Sequence, residues 1–173
     1  TLRPVVTVDR PHMPGYGVAP ADGGQGLLPW SWAHDRLVEA RGYWLATAGG
    51  GGHPHIAAVW GLWADGALHV STGGRSRKAH DIARNPYVAV GVDGTDRSLT
   101  IDGVAERVAD AAVEAAIAVA YRAKYGEGYP DPEANPLLAI RPRTVIAVLE
   151  DGDDFTQLAT RWRFAPGEAP PPG

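Results

Sequence analysis

The chain has 173 residues, of which 45% are hydrophobic, and a formal net charge of −4; this length and composition predict one globular domain with a substantial core. The absence of cysteine excludes disulfides, zinc–thiolate sites and a thiol nucleophile, and the acidic balance is the wrong sign for a general nucleic-acid-binding protein. No apolar run is long enough to span a bilayer and residues 1–10 lack the hydrophobic region of a signal peptide, so we expect a cytoplasmic protein without a membrane partner.

Composition divides the chain into three parts. Residues 1–30 are rich in proline and glycine and have little periodicity, which predicts an extended N-terminal arm. Residues 31–164 carry regular apolar patterns and predict the folded domain. The proline-rich segment 165–173 predicts a disordered tail.

Short apolar segments separated by turn signals make the domain mainly β. Asp65 and Gly66 predict a tight hairpin turn, because this dipeptide favours the backbone of two-residue hairpins. Many antiparallel strands with a few helices between them predict a closed or nearly closed β-barrel. The expected strands are 43–48, 53–63, 67–72, 87–92, 98–108, 144–149 and 155–164, with further turns at 93–96 and 151–154.

Three helices are expected between these strands. The first covers 31–41, with Gly42 just after its end. The second is the short helix that follows the strand 67–72, described below. The third is alanine-rich and runs from an Asp110 cap to about Tyr125, where Gly126 ends it.

The segment 71–82, STGGRSRKAHDI, is the strongest functional signal. It leaves a strand, turns on two glycines and enters a helix that must stop before Pro86. Ser76 is a good N-cap, so Arg77 and Lys78 fall in the first turn, where cations are unfavourable with the helix dipole. Two cations beside unpaired backbone N–H groups form an anion pocket suited to a phosphate. The alternative is a charge pair on a solvated helix face.

Other motifs indicate turns rather than chemistry. His53 and His55 form a possible metal pair, but no further ligands cluster with them, so no metal site is predicted. The glycine run 49–52 lacks the lysine of a Walker loop, and 151–154 lacks the spacing of a calcium loop. No catalytic triad or carboxylate pair is evident. This absence suits a cofactor that carries its own chemistry.

Two tryptophans stand near candidate ligand positions. Trp60 ends the strand that hairpins back onto the strand carrying Ser71, so a planar ring bound there would meet both. Trp162 stands between Arg161 and Arg163 on the last strand. These arginines indicate either a basic edge that discourages strand pairing or contacts to a flat anionic ligand.

The residues just described resemble a known family. Residues 71–72, 76–80 and 85–86 are similar to the phosphate-binding segment of the pyridoxamine 5′-phosphate oxidase-like flavin and deazaflavin (F420) split-barrel family. The hairpin 54–66 is similar in length and register, and the resemblance covers roughly residues 30–164. The arm motif 10–16 and the ending 160–164 look most like the actinobacterial branch often linked to F420.

The resemblance implies a homodimeric split β-barrel of six or seven antiparallel strands, of the FMN-binding type, with two cofactor sites at the dimer interface. Residues 31–164 would form the cofactor-binding domain. Arg77 and Lys78 would bind the phosphate, Ser71 and Thr72 would line the ribityl chain, and the backbone of 56–60 would contact the ring. The implied cofactor-binding residues are Ile56, Ala57, Ala58, Val59, Trp60, Ser71, Thr72, Arg75, Ser76, Arg77, Lys78, Trp162 and Arg163.

The chain departs from the vitamin B6 oxidases at two places. It has Ile56 where they carry an arginine that helps to bind FMN, and 161–163 reads Arg-Trp-Arg where they have Arg-x-His for pyridoxal phosphate. The resemblance therefore implies an F420-dependent reductase that transfers a hydride between the deazaflavin and an unsaturated small organic substrate. The alternatives are an FMN-dependent oxidoreductase of the pyridoxamine 5′-phosphate oxidase type and a non-enzymatic flavin or tetrapyrrole carrier.

Overall fold

The computed structural model describes residues 6–18, 20, 26–92, 94, 96–126 and 129–173. Among these residues, no helix is both long and apolar enough to cross a membrane; the cytoplasmic location stays a prediction. The strands are β1 Val6–Asp9, β2 Tyr43–Ala48, β3 Pro54–Val59, β4 Leu62–Ala64, β5 Ala67–Ser71, β6 Tyr87–Val92, β7 Arg97–Arg107, β8 Leu137–Leu149 and β9 Thr160–Phe164, and the helices are α1 Trp30–Glu39, α2 Arg77–Arg84, α3 Ala111–Tyr125 and α4 Asp154–Gln157.

The long strand β8 organises the sheet. Every strand pair is antiparallel, and the path β3-β2-β6-β7-β8 is continuous. The first part of β8 pairs with β5, from Leu137 to Ile140, and its second part pairs with β9, from Thr144 to Ala147. The sheet therefore divides at β8 into a barrel side, with β4 and β5, and an extension formed by β9 and β1. The predicted mainly β, antiparallel split barrel is confirmed.

Alternating side chains fill the barrel. In β7, Leu99, Ile101 and Ala105 are buried, whereas Thr100 and Asp102 face outward, as the period-2 pattern predicts. The strands 43–48 and 87–92 begin and end at the predicted residues. The core is formed by apolar side chains from most of the strands together with α1, among them Leu37, Leu45, Leu68, Val70, Val90, Ile101, Ile140, Val145 and Trp162.

The predicted ends of α3 are also confirmed. The Asp110 carboxylate accepts hydrogen bonds from the backbone N–H groups of Ala112 and Val113, at 2.8 and 3.4 Å. Gly126 ends the helix with φ at 70°, a conformation that glycine adopts without strain. The first helix ends at Glu39 rather than at the predicted residue 41, since Ala40 is already extended.

The predicted strand 53–63 is wrong at its centre. The structure breaks it into β3 and β4 around Gly61, whose backbone N–H and C=O both bond to the Tyr125 hydroxyl of α3. A Cβ at Gly61 would lie 2.9 Å from the Leu68 Cδ1 atom and 3.2 Å from the His69 carbonyl oxygen. The barrel wall therefore closes tightly here, and glycine is required for that close approach.

The last two strands also differ from the prediction. The segment 155–158 is not strand: the short helix α4 includes Phe155 and precedes β9. The strand β8 begins seven residues earlier than the predicted 144, at Leu137. The sequence does not indicate this extension, because Pro142 and its two flanking arginines interrupt the apolar strand pattern. The structure accommodates Pro142 at a register shift opposite Asp102 and Gly103, where a missing N–H is tolerated.

Described segments near each end of the chain contact the domain. Within 1–30, predicted as an extended arm, residues 6–9 form β1 and pair antiparallel with β9. In the segment 165–173, predicted as a disordered tail, the Pro171 carbonyl accepts a hydrogen bond from the Trp30 indole at 2.9 Å. Residues 93 and 95 of the predicted turn 93–96 lie outside the described residues. The three-part division of the chain stays a prediction.

Candidate functional site

The segment after β5 has the local structure that the sequence predicts. Strand β5 ends at Ser71, and Ser76 caps α2 by accepting a hydrogen bond from the Ala79 N–H at 3.3 Å. The Thr72 and Ser76 hydroxyl oxygens lie 3.3 Å apart. The helix ends at Asn85, before the proline, and its first turn carries no acidic residue. The first-turn N–H groups are therefore oriented for an anion.

The turn between β5 and α2 is fastened to the loop before β8. The Ser71 hydroxyl donates to the Asn135 carbonyl at 3.1 Å, and the Gly74 N–H donates to the Ala134 carbonyl at 3.0 Å. The Thr72 N–H donates to the Pro136 carbonyl at 3.4 Å. These bonds attach the turn to one loop at three points, which presets the position of the helix start.

Three cations surround this helix start. Arg75 and Arg77 are exposed and Lys78 is half-buried. Each cation near a helix N-terminus costs about 0.3–1 kcal/mol when no anion is present. Guanidinium, ammonium, hydroxyl and backbone N–H donors together match the oxygens of a phosphate group. The residues present therefore fit the phosphate of a flavin or deazaflavin cofactor.

The outer face of β3 is apolar and exposed. The Ile56 side chain is 61% exposed and Ala58 is also exposed, whereas Val59 points into the core. Ile56 pairs with Ala46 of β2, and Ala58 pairs with Trp44, which is 48% exposed. The predicted ring-contacting segment 56–60 thus lies on an open apolar sheet face.

Trp60 belongs to an aromatic cluster that the sequence analysis missed. Its ring stacks on Tyr125 with centroids 5.0 Å apart, and Tyr121 lies 4.6 Å from Tyr125. The ring of Tyr129 meets Tyr121 edge-on at 5.5 Å. Burial raises the pKa of Tyr129 to about 12, with Glu114 adding to the shift. The four-residue spacing of Tyr121 and Tyr125 is the signal that places these two rings on one face of α3, whereas Tyr129 lies beyond the end of that helix.

The structure does not bring Trp162 and Arg163 to the start of α2 within one protomer. Trp162 is 1% exposed and meets the Trp30 ring edge-on at 5.7 Å in the core. Ser71 pairs with Leu137 at the start of β8, whereas Trp162 pairs with Val145. These two positions are eight residues apart on the strand, which is about 25 Å. Within one protomer the buried indole offers no face to a ligand. The resemblance implies that Trp162 and Arg163 close the site, and a contribution from the other subunit stays a prediction.

The last-strand arginines have a partner inside the chain. Arg161 binds the Asp9 carboxylate through two nitrogens, at 2.8 and 3.0 Å, and Arg163 binds the same carboxylate at 2.7 Å. The hydrogen bond from Arg161 is the main reason why the pKa of Asp9 lies below its usual value. These arginines therefore attach β1 to β9 within the chain.

The sequence matches the pyridoxamine 5′-phosphate oxidase family over residues 33–149. A conserved hypothetical protein from Mycobacterium tuberculosis is 25% identical with a TM-score of 0.62, over 72% of this chain and 86% of that one. An F420 reductase is 25% identical with a TM-score of 0.53, over 64% and 94% of the two chains. The heme storage protein HutZ from Vibrio cholerae shares the fold at 21% identity, with a TM-score of 0.57 over 65% and 88%. No curated protein matches the sequence.

The family match covers more than half of the 173 residues. It includes β3, the turn after β5 and the whole of α2, which are the elements that form the candidate site. The chain therefore belongs to the pyridoxamine 5′-phosphate oxidase family.

Proposed function

We propose that the protein is an F420-dependent oxidoreductase that reduces an unsaturated small organic substrate. The observation that carries this proposal is the set of three cations, Arg75, Arg77 and Lys78, at the Ser76-capped start of α2. Family membership and the likeness to an F420 reductase support it. When bound, the deazaflavin supplies the hydride chemistry.

The chain's own residues bind and orient the cofactor. Arg77 and Lys78 would hold the phosphate with charge-assisted hydrogen bonds, and the N–H groups of the first helical turn would add to this attraction. Ser71, the last residue of β5, and Thr72, the next residue, would line the ribityl chain. The backbone of 56–60 would contact the ring, and the side chains of β3 would help to exclude water from it.

Two features favour F420 over FMN. Ile56 is an exposed apolar residue, so it gives no positive charge to a flavin at the position of the oxidases' arginine. Arg75 stands outside the first turn of α2 and is exposed, where it can meet the carboxylates of the F420 tail. FMN has a phosphate but no such tail.

We propose further that the protein is a homodimer with a cofactor site at each end of its interface. The outer face of β2, β3 and β6, with the residue that follows β3, carries several exposed apolar side chains, and a contiguous patch of this kind marks an interaction surface. Its exposed members are Trp44, Ile56, Ala58, Trp60, Tyr87 and Ala89. A second protomer placed on this face would bury these side chains and cover the ring of a bound cofactor.

Calorimetric titration with F420 and with FMN tests the proposed function. We expect F420 to bind in the micromolar range and FMN to bind at least tenfold more weakly, a difference of about 1.4 kcal/mol. Binding of neither cofactor below 1 mM contradicts the proposal. Tight FMN binding favours the flavin enzyme, and tight binding of F420 without reduction of any enone or quinone favours a carrier.

A further inference from the structure

One acidic side chain lies directly beneath the cationic helix start. Asp81 is on the second turn of α2, four residues after Arg77 and on the same face. Its side chain is only 11% exposed. A carboxylate buried this far needs partners, because desolvation of a charge is costly.

The partners of Asp81 come from the end of β2 and from Arg77. The Thr47 hydroxyl donates to the Asp81 Oδ2 atom at 3.0 Å, and Thr47 is itself buried. The chain then passes Asp81 so closely that a Cβ at Gly49 would lie 2.6 Å from its Oδ1 atom. One turn later the Asn85 amide donates to the Ala48 carbonyl at 2.9 Å. The barrel end therefore fixes the Asp81 carboxylate in place.

Asp81 in turn faces the guanidinium of Arg77. The Arg77 Nε atom lies 3.7 Å from the same Oδ2 atom that accepts the Thr47 hydrogen bond. Within the described residues, the terminal nitrogens of Arg77 make no hydrogen bond, and 55% of the side chain is exposed. The carboxylate thus forms an ion pair with the Nε atom of Arg77, and more than half of the Arg77 side chain stays exposed to a ligand.

We propose that Asp81 is a positioning residue, fixed by Thr47, which holds the Arg77 guanidinium in the orientation that binds the cofactor phosphate. This inference rests on the proposed function and adds a residue that does not itself touch the ligand. An arginine on a surface helix otherwise loses rotamer freedom when it binds a phosphate. With Asp81 in place, most of that ordering is complete before the cofactor arrives.

Charge and orientation predict opposite effects of removing the carboxylate. If Asp81 acted only through its charge, its removal would make the site more positive and a phosphate would bind more tightly. If it positions Arg77, its removal frees the guanidinium and a phosphate binds more weakly. The sign of the change therefore separates the two roles.

The decisive variant is Asp81→Asn, since an asparagine oxygen still accepts the Thr47 hydrogen bond but cannot hold a cation. We expect F420 to bind about fivefold more weakly, while the ribityl-deazaflavin fragment that lacks the phosphate binds as it does to the wild type. In an Arg77→Ala background, Asp81→Asn should have no further effect on F420 affinity. Asp35→Asn, which makes the same charge change on α1, should leave both affinities unchanged.

Calorimetry on the full chain gives these affinities, and thermal unfolding shows whether each variant is folded. If Asp81→Asn does not fold, Thr47→Val loosens the carboxylate from the other side and should give the same selective loss. Unchanged or tighter F420 binding overturns the inference, as does equal weakening of both ligands or an effect that persists without Arg77. A wild-type protein that binds neither ligand overturns the proposed function and this inference together, whereas normal wild-type binding with an unaffected variant overturns only the inference.

Discussion

Trp60 and Tyr125 stack face to face, with ring centroids 5.0 Å apart and an angle of 6° between their planes. The Tyr125 hydroxyl also accepts a hydrogen bond from the Gly61 N–H at 3.0 Å and lies 2.7 Å from the Gly61 carbonyl oxygen. One side chain of α3 therefore determines both where β3 ends and how the Trp60 indole is held. The edge of the candidate ring site depends on this contact.

Replacement of Tyr125 by phenylalanine should lower stability by about 1–3 kcal/mol. The variant keeps the stacking but leaves the buried Gly61 N–H without its acceptor, and an unsatisfied buried donor costs about that much. Urea denaturation of the two proteins measures the difference. Tyr16→Phe is the control, because the Tyr16 ring is 64% exposed and its variant should match the wild type. A Tyr125→Phe loss below 0.5 kcal/mol would show that the hydroxyl does not maintain the strand break.

Lys78→Ala should weaken cofactor binding by about 1–3 kcal/mol, since a charged hydrogen-bond partner of the phosphate is lost. Fold stability should stay the same or rise slightly, because a cation leaves the helix N-terminus. Titration calorimetry and thermal unfolding give the two quantities. Arg84→Ala, in the last turn of the same helix, should not change the affinity. Equal affinities for Lys78→Ala and wild type would remove Lys78 from the site.

The attachment of β1 to β9 should depend on pH in one direction. The Arg161 hydrogen bond lowers the pKa of Asp9 in the folded protein below its usual value of 3.8. The ion pair therefore stabilises the fold above pH 3.8, and this contribution is lost as the pH falls through the folded pKa. Asp9→Asn should be less stable than wild type at pH 7. The difference in free energy of unfolding between the two proteins should become smaller below pH 3.8. Denaturation curves at several pH values check this, and a difference that stays constant or widens in acid contradicts it.

The apolar outer face of β2 and β3 should hold two protomers together. Ile56→Glu places a charge on this face, and because Ile56 is exposed in one protomer the fold should be retained. Sedimentation velocity should show the wild type at twice the chain mass of 18.3 kDa and the variant at 18.3 kDa. Val119→Glu, an equally exposed apolar position on α3, is the control and should remain dimeric. A monomeric wild type contradicts the proposed interface.

Local signals explain which parts of the structure could be predicted. The caps Ser76 and Asp110 and the turn at Asp65 depend on neighbouring residues alone, so the sequence pattern indicates them directly. The break at Gly61 depends on Tyr125, which is 64 residues away along the chain. The apolar pattern of residues 53–63 carries no information about Tyr125, so it cannot predict the break.

In the candidate site, too, features set by neighbouring residues could be predicted, and contacts between distant residues could not. The cations of α2 could be found because glycine, serine and basic residues stand next to one another in the sequence. The Thr47–Asp81 contact could not, since it joins β2 to α2 across the barrel end. The burial of Trp162 could not be predicted either, because the exposure of a strand residue depends on what packs over it, and here the Trp30 ring does so.

A crystal structure of the protein with bound F420 tests the central claim most directly. We expect the phosphate at the start of α2, with its oxygens about 2.7–3.0 Å from the Lys78 Nζ atom and from the terminal nitrogens of Arg77. A cofactor bound with its phosphate elsewhere, while Arg77 and Lys78 point into solvent, would contradict the account.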